Sequence, residues 1–471
     1  MEKKLTGGQA LEGRLRYKKK NVWEHLSRAE REAALELGEE YKEYLSQVKT
    51  EREAVRFMVS RAEAEGFRPL DELKHLKPGQ RFYLTYRSKV LLLGVAGERP
   101  LKEGLRLVGA HIDAPRLDLK PQPLYESDGL ALFKTHYYGG IKKYQWPALP
   151  LALHGLVMKA GGEALELVLG EAEEDPVFTV TDLLPHLAKD QMEKKMKEGI
   201  QGEDLNVLVG SLPYADEEVQ EKVKLAVLQH LHERYGLVEE DLVSAELELV
   251  PAGKARDVGL DRSLVGGYGQ DDRACAFTAF KAILQVQKPR YTALALFVDK
   301  EEIGSTGNTG AQSRLLEYFV ARLGELTGDK TVKDVWQVFD RSLAVSGDTV
   351  AALDPSWPNV LDKYNAPVLG HGVVLLKYSG AGGKYDTNDA HAETVYSLRR
   401  LFNEHGIIWQ TGELGKVDQG GGGTIAQFLA QTGMDVIDCG PALLSIHSPF
   451  EIASKGDIYM TFRAYQVFLQ N

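Results

Sequence analysis

The sequence predicts an α/β protein with a mixed sheet, interrupted by an inserted β-rich domain. Three observations predict it. Apolar runs of strand length alternate with helical patterns before Pro121 and again after about Asp261. Between Pro121 and Pro251 the texture changes to shorter strand-like pieces separated by charged stretches. A length of 471 residues exceeds what one ordinary core holds. The expected division is 1–120 with 252–471 for the α/β domain and 121–251 for the insert.

The elements follow in order. Residues 21–65 read as helix, because Trp23, Leu26, Ala33, Leu37, Tyr41, Leu45 and Val48 recur at helical spacing among charges. The preceding Lys18-Lys19-Lys20 reads as a solvated helix start, the alternative being an address or a nucleic-acid contact. Segments 83–86 and 90–94 form a hairpin leading into a strand from Leu105. In the insert, 165–169, 177–180 and 245–250 read as strands, and 188–199 and 217–235 as helices. Beyond it, a helix over 275–286, a strand over 293–299 and a helix over 311–326 restore the alternation.

Composition bounds the function. Hydrophobic and charged contents of 43% and 27% are those of a soluble globular protein. A net charge of −11 argues against a nucleic-acid role. The start lacks an apolar signal core and no long uncharged apolar run follows, so the expectation is a cytoplasmic protein without a membrane segment. Cys275 and Cys439 lie in apolar company, which predicts buried free thiols in a reducing compartment.

Five metal-ligand-type residues stand where five apolar runs end. The runs precede His111-Ile-Asp113, Asp271-Asp272, Asp299-Lys-Glu-Glu302, Asp348 and His447. In an open α/β sheet, ligands bind beyond the carboxyl ends of strands, so a His-Asp-Glu-Asp-His set delivered there fits two bridged Zn²⁺ ions. In His111-Ile-Asp113 alternate residues share a face, so the Asp can hold the ring nitrogen that the metal leaves free. A satisfied turn histidine is the bland alternative. Asp271-Asp272 opens a helix, where acids are commonly caps. The other reading is a carboxylate bridging two metals, with a cis peptide expected after Asp271. Two adjacent glutamates at the end of a buried strand repel unless a cation offsets them. One as general base and its neighbour as ligand removes that conflict.

Gly420-Gly421-Gly422-Gly423 lacks the Lys-Ser/Thr of a nucleotide P-loop and precedes an apolar helix. Backbone N–H groups there, Gly422 among them, are candidates for binding a substrate oxygen. No Gly-x-Ser-x-Gly elbow occurs, which disfavours a serine hydrolase. Lys377 and Lys384 are candidates for meeting an acidic substrate side chain.

With these residues in order, the chain resembles the aminopeptidase I / aspartyl aminopeptidase family of co-catalytic zinc exopeptidases. The resemblance spans nearly the whole chain, and its most specific parts are Asp299-Lys-Glu-Glu-Ile-Gly-Ser305 and Ser445-Ile-His-Ser448. It implies a zinc-exopeptidase catalytic domain with an inserted dimerisation domain, and dimers that build a dodecamer. It implies two zinc ions per subunit, with cobalt or manganese as substitutes. The implied ligands are His111, bridging Asp271, Glu302, Asp348 and His447, with Glu301 as general base and Asp113 orienting His111. Substrates would be peptides with a free N-terminus. A histidine from the insert, matched by His186 with Asp190 as the rival position, would reach a neighbouring subunit's site. Three positions depart from the family pattern: Gln270-Asp271-Asp272 replaces Leu-Asp-Asn, Ala351 replaces a histidine, and Tyr137-Tyr-Gly-Gly-Ile-Lys-Lys-Tyr-Gln-Trp146 replaces a Gly-Gly-Gly-aromatic stretch. A preference for N-terminal Asp or Glu is therefore not implied. The rivals are a carboxypeptidase or amide deacylase on the same two-metal architecture, and a non-catalytic assembly protein.

Overall fold

The structure, a computed structural model, describes residues 6–328 and 332–471. The 1–5 segment, part of the stretch read as lacking a signal core, lies outside the described residues.

A nine-stranded mixed sheet centres the α/β part. Its order is Arg68–Pro69, Arg81–Tyr86, Val90–Val95, Thr292–Val298, Leu105–His111, Leu343–Ser346, Asp435–Gly440, Val373–Leu376 and Trp409–Thr411. The strands Leu105–His111, Thr292–Val298, Leu343–Ser346 and Asp435–Gly440 run parallel, so their carboxyl ends share one edge. Both faces are covered, which is why these strands are apolar throughout. Leu91, Leu93 and Val95 join a core with the Gln270–Gln285 and Lys455–Gln470 helices, while Val90 and Leu92 join one with Leu315–Thr327.

A second, five-stranded sheet corrects the expectation that all five ligand runs end in one sheet. Its order is Arg256–Val258, Leu264–Gly267, Glu451–Ser454, Ala442–Leu444 and Val350–Ala351. The run before Asp271 therefore belongs to this small sheet. The run before His447 splits at Pro441, between Asp435–Gly440 in the large sheet and Ala442–Leu444 in the small one. Proline has no N–H for a continuing ladder, so the chain changes sheets there.

The intervening segment forms its own seven-stranded sheet, from Arg116–Ser127 to Ala245–Pro251, around a separate core that includes Trp146, Phe133 and Leu249. It begins at Arg116, ahead of the expected edge at Pro121. The helix expected over 21–65 is three helices, Val22–His25, Arg28–Gln47 and Glu51–Ala64. Ser27 with Glu30 and Thr50 with Glu53 form capping boxes that restart the helix twice. Of the helix expected over 188–199, only Lys189–Met192 is helical. Met192 and Met196 are 75% and 72% exposed, so no buried face reinforces the pattern. Cys275 and Cys439 are buried free thiols. No helix of the described residues is long and apolar enough to cross a membrane.

A buried cation ties the insert to the α/β part. The Arg116 guanidinium lies 3.3 Å from Glu51, 3.2 Å from Glu248 and 2.8 Å from Asp118, over the Tyr138 ring. Removing it leaves the buried Glu248 without an ion-pair partner among the described residues and Glu51 with Lys89 alone at 2.8 Å, and breaking a buried pair in this way typically costs about 3–5 kcal/mol. Arg116→Ala is expected to lower urea stability by that amount at fixed protein concentration. A loss under about 1 kcal/mol would mean that the network is not structural.

Candidate metal centre

Asp271 is the hub. The chain leaves Leu264–Gly267, passes Gly269 in a left-handed conformation, and enters a helix that is non-helical at Asp271 and Asp272. The Asp271–Asp272 peptide is cis, as the sequence reading expects. Asp271 Oδ1 lies 3.5 Å from His111 Nε2, and Asp271 Oδ2 lies 3.2 Å from His447 Nε2. One carboxylate thus faces two imidazoles with its two oxygens.

The remaining residues gather in two groups that share it. Ligand atoms of His111, Asp271 and Glu302 lie within 4.8 Å of one another, as do those of Asp271, Asp272 and Asp348. Glu302 Oε2 is 3.4 Å from His447 Nε2, and Glu301 Oε2 is 4.0 Å from His111 Nε2. The large sheet delivers His111, the glutamate pair and Asp348. The small sheet delivers Asp271 and His447.

The histidine tautomers follow from their neighbours. His111 Nδ1 faces only acceptors, the Asp113 carbonyl at 3.1 Å and Asp113 Oδ1 at 3.3 Å, so it carries the hydrogen. His447 Nδ1 donates in the same way to the Gly140 carbonyl at 3.0 Å. Both Nε2 atoms, the positions left for a metal, therefore face the carboxylates. Asp113 is fully buried, and it also accepts from the Glu301 and Glu302 N–H groups at 3.1 and 3.2 Å.

The donor set fits a zinc-type cation. Asp271 Oδ1, Asp272 Oδ1 and Glu302 Oε1 are buried with no hydrogen-bond partner among the described residues. Such oxygens are costly to bury unless a cation meets them. Carboxylate oxygens with imidazole nitrogens are zinc ligands. The electrostatics agree. Burial, then the charges of Asp271, Asp272 and Glu301, raise Asp348 well above the usual range. Burial, then the charge of Asp271, does the same to Glu302 despite His447.

Four contributors escaped the sequence reading. Glu451, fully buried, accepts from the Asp271 N–H at 3.1 Å and from the His447 N–H at 2.7 Å, bracing both residues. Asp272 accepts the His111 N–H at 3.3 Å. Tyr138 donates to Asp113 Oδ2 at 2.7 Å, and Gly140 receives His447. Glu451, four residues beyond His447, carries no local signal. The Gly139-Gly140 pair was visible but had no assigned purpose.

Three expected substrate residues lie outside these contacts. His186 is exposed in the insert, and none of the described hydrogen bonds or ion pairs joins it to the centre. Lys384 bonds Asp389 at 2.8 Å, as Lys377 does, and lies 3.9 Å over the Tyr378 ring. The Gly422 N–H already donates to the Ser379 carbonyl at 3.0 Å, so it is not free for a substrate oxygen.

The aminopeptidase I zinc metalloprotease (M18) family model matches residues 44–469. The chain is 49% identical over 456 residues to the probable M18 family aminopeptidase 1 of Clostridium acetobutylicum, covering 96% of this chain and 98% of that one. The crystal structure of an M18-family aminopeptidase from Thermotoga maritima superposes with a TM-score of 0.93 at 48% identity, covering 97% of this chain and 100% of that one. The mApe1 dodecamer of S. cerevisiae has the same fold, with a TM-score of 0.73 at 22% identity over 92% of this chain and 96% of that one.

Without a cation, the centre should weaken as pH rises. Burial, then the charges of Asp113 and Asp271, lift Glu301 to about 7, so its destabilising effect grows from the ordinary carboxylate value near 4.5 up to about 7. Burial opposes protonation of His447, but the Asp271 hydrogen bond and the Glu302 charge lift it to about 10. Its stabilising effect is full below about 6.5 and disappears as pH rises toward 10. Both run the same way, and zinc displaces the protons concerned. The melting-temperature gap between zinc-loaded and chelator-stripped protein is expected to widen from pH 5.5 to pH 8.5. A constant gap would contradict this.

Proposed function

The chain belongs to the aminopeptidase I zinc metalloprotease (M18) family, and on that premise we propose that it removes N-terminal residues from peptides at a centre of two zinc ions sharing Asp271. His111, Glu302, Asp348 and His447 complete the ligand set, and cobalt or manganese can substitute. The observation that carries this reading is the placement of two imidazole Nε2 atoms against opposite oxygens of the buried Asp271 carboxylate. When bound, the zinc ions act as Lewis acids toward a scissile carbonyl and make water more acidic.

The chain's own residues do the rest. Glu301 is the general base. Its carboxylate, 4.0 Å from His111 Nε2, takes a proton from water and returns it to the leaving amine. Asp113 fixes the His111 tautomer and holds the Glu301 and Glu302 N–H groups, so base and ligand keep their spacing. Recognition of a free α-amino group follows from the family. No observation favours the carboxypeptidase, deacylase or scaffold readings.

Assembly and location complete the proposal. The separate core of the seven-stranded sheet supports division of the chain near 121–251, with that insert as the dimerisation domain. Its exposed Leu183, Leu184, Leu187 and Met192 support a contact role. The dodecamer named for the yeast protein of this fold supports dimers building a dodecamer; from the family resemblance, His186 would reach a neighbouring subunit's site. The net charge of −11 and the buried free thiols support a cytoplasmic protein that does not act on nucleic acid.

Glu301→Gln is expected to lower kcat by about 10²–10⁴-fold while zinc content stays unchanged. Loss of zinc together with activity would make Glu301 a ligand and remove the assignment. Activity toward peptides with blocked amino termini equal to that toward free ones would contradict the exopeptidase reading.

A further inference from the structure

Contacts that fix two histidines of the centre converge on one short segment of the insert. Tyr138 ends the strand Leu130–Tyr138 of the seven-stranded sheet, and Gly139 and Gly140 follow at the metal centre. The Tyr138 hydroxyl donates to Asp113 Oδ2 at 2.7 Å, and Asp113 in turn holds His111 Nδ1. Two residues on, the Gly140 carbonyl accepts from His447 Nδ1 at 3.0 Å. The nitrogens that the two histidines leave unused for metal are therefore fixed by the same three residues, once through Asp113 and once directly.

The approach is tight at both glycines. A Cβ on Gly139 would stand 3.3 Å from Glu302 Cβ and 3.3 Å from Pro115, and its φ of +74° already disfavours other residues. A Cβ on Gly140 would stand 3.2 Å from His447 Nδ1 itself. Tyr138 is held from behind, its ring 4.0 Å from the Arg116 guanidinium, and its backbone pairs with Arg116.

We propose that the Tyr138-Gly139-Gly140 segment is a positioning element for zinc, through which the inserted domain sets the orientation of both ligand histidines and hence the affinity of the centre. It rests on the assignment of His111 and His447 as ligands. Second-layer partners of metal-bound histidines typically contribute 10–100-fold in affinity. The insert thereby acts on zinc binding within its own chain, separately from any contact it makes with a neighbour.

The test is zinc affinity, measured on the full-length chain by competition with a chromogenic chelator, alongside melting of the chelator-stripped protein. Tyr138→Phe removes one hydroxyl and is expected to weaken zinc binding about tenfold or more, with the melting temperature of the stripped protein unchanged. Gly140→Ala is expected to weaken it as well, and Tyr137→Phe to leave it unaltered. His447→Ala separates the two levels of the argument. If it leaves affinity intact, the ligand assignment fails. If it abolishes binding while Tyr138→Phe and Gly140→Ala bind zinc within about twofold of the wild type, the positioning role alone is overturned. A fall in affinity that merely tracks a fall in the stripped protein's melting temperature also overturns it.

Discussion

Repulsion among buried carboxylates is the constraint around which this structure is organised. Asp271, Asp272, Glu301, Glu302 and Asp348 crowd one edge of the fold, and several of their oxygens have no donor among the described residues. In a low-dielectric setting such a cluster is tolerable only when neutralised. Two imidazoles supply part of the offset, and the donor chemistry supplies a reason for zinc to supply the remainder. The geometry of each surrounding element serves that arrangement.

Rigidity of the centre comes from backbone donors rather than from side chains alone. Asp113 gathers the N–H groups of Glu301 and Glu302, and Glu451 gathers those of Asp271 and His447. Asp113 ties segments of the large sheet and Glu451 those of the small one, while Asp272, which accepts the His111 N–H at 3.3 Å, joins the two sheets at the site. A third tie, Tyr138 to Asp113, brings in the insert. The candidate centre thus lies where three sheets meet.

The sequence made much of this legible because strand ends are chemically conspicuous. His111, Asp271, Glu302, Asp348 and His447 each follow an apolar run, and a polar residue closing such a run stands out. What it did not reveal depends on long-range packing. The reassignment of the Asp271 and His447 segments to a second sheet follows from partners far away in sequence, as does the bracing by Glu451. The breaks at Ser27 and Thr50 were readable as capping boxes, but helical periodicity ran across them and masked the stops. Gly422 shows the reverse error: a glycine run suggested free N–H groups, whereas the fold uses that one internally on Ser379. The charged 188–199 stretch had helical spacing without a face to bury, and spacing alone does not sustain a helix.

The proposed function depends most directly on the proposed sharing of Asp271 between two ions. Zinc content per chain, measured by mass spectrometry on wild-type and Asp271→Asn protein purified at saturating zinc, addresses it directly. Two zinc ions per wild-type chain, with both sites weakened together in the variant, is the expected result. One zinc per wild-type chain, or a variant that keeps one site at full affinity, would contradict a bridging Asp271 and with it the two-ion mechanism.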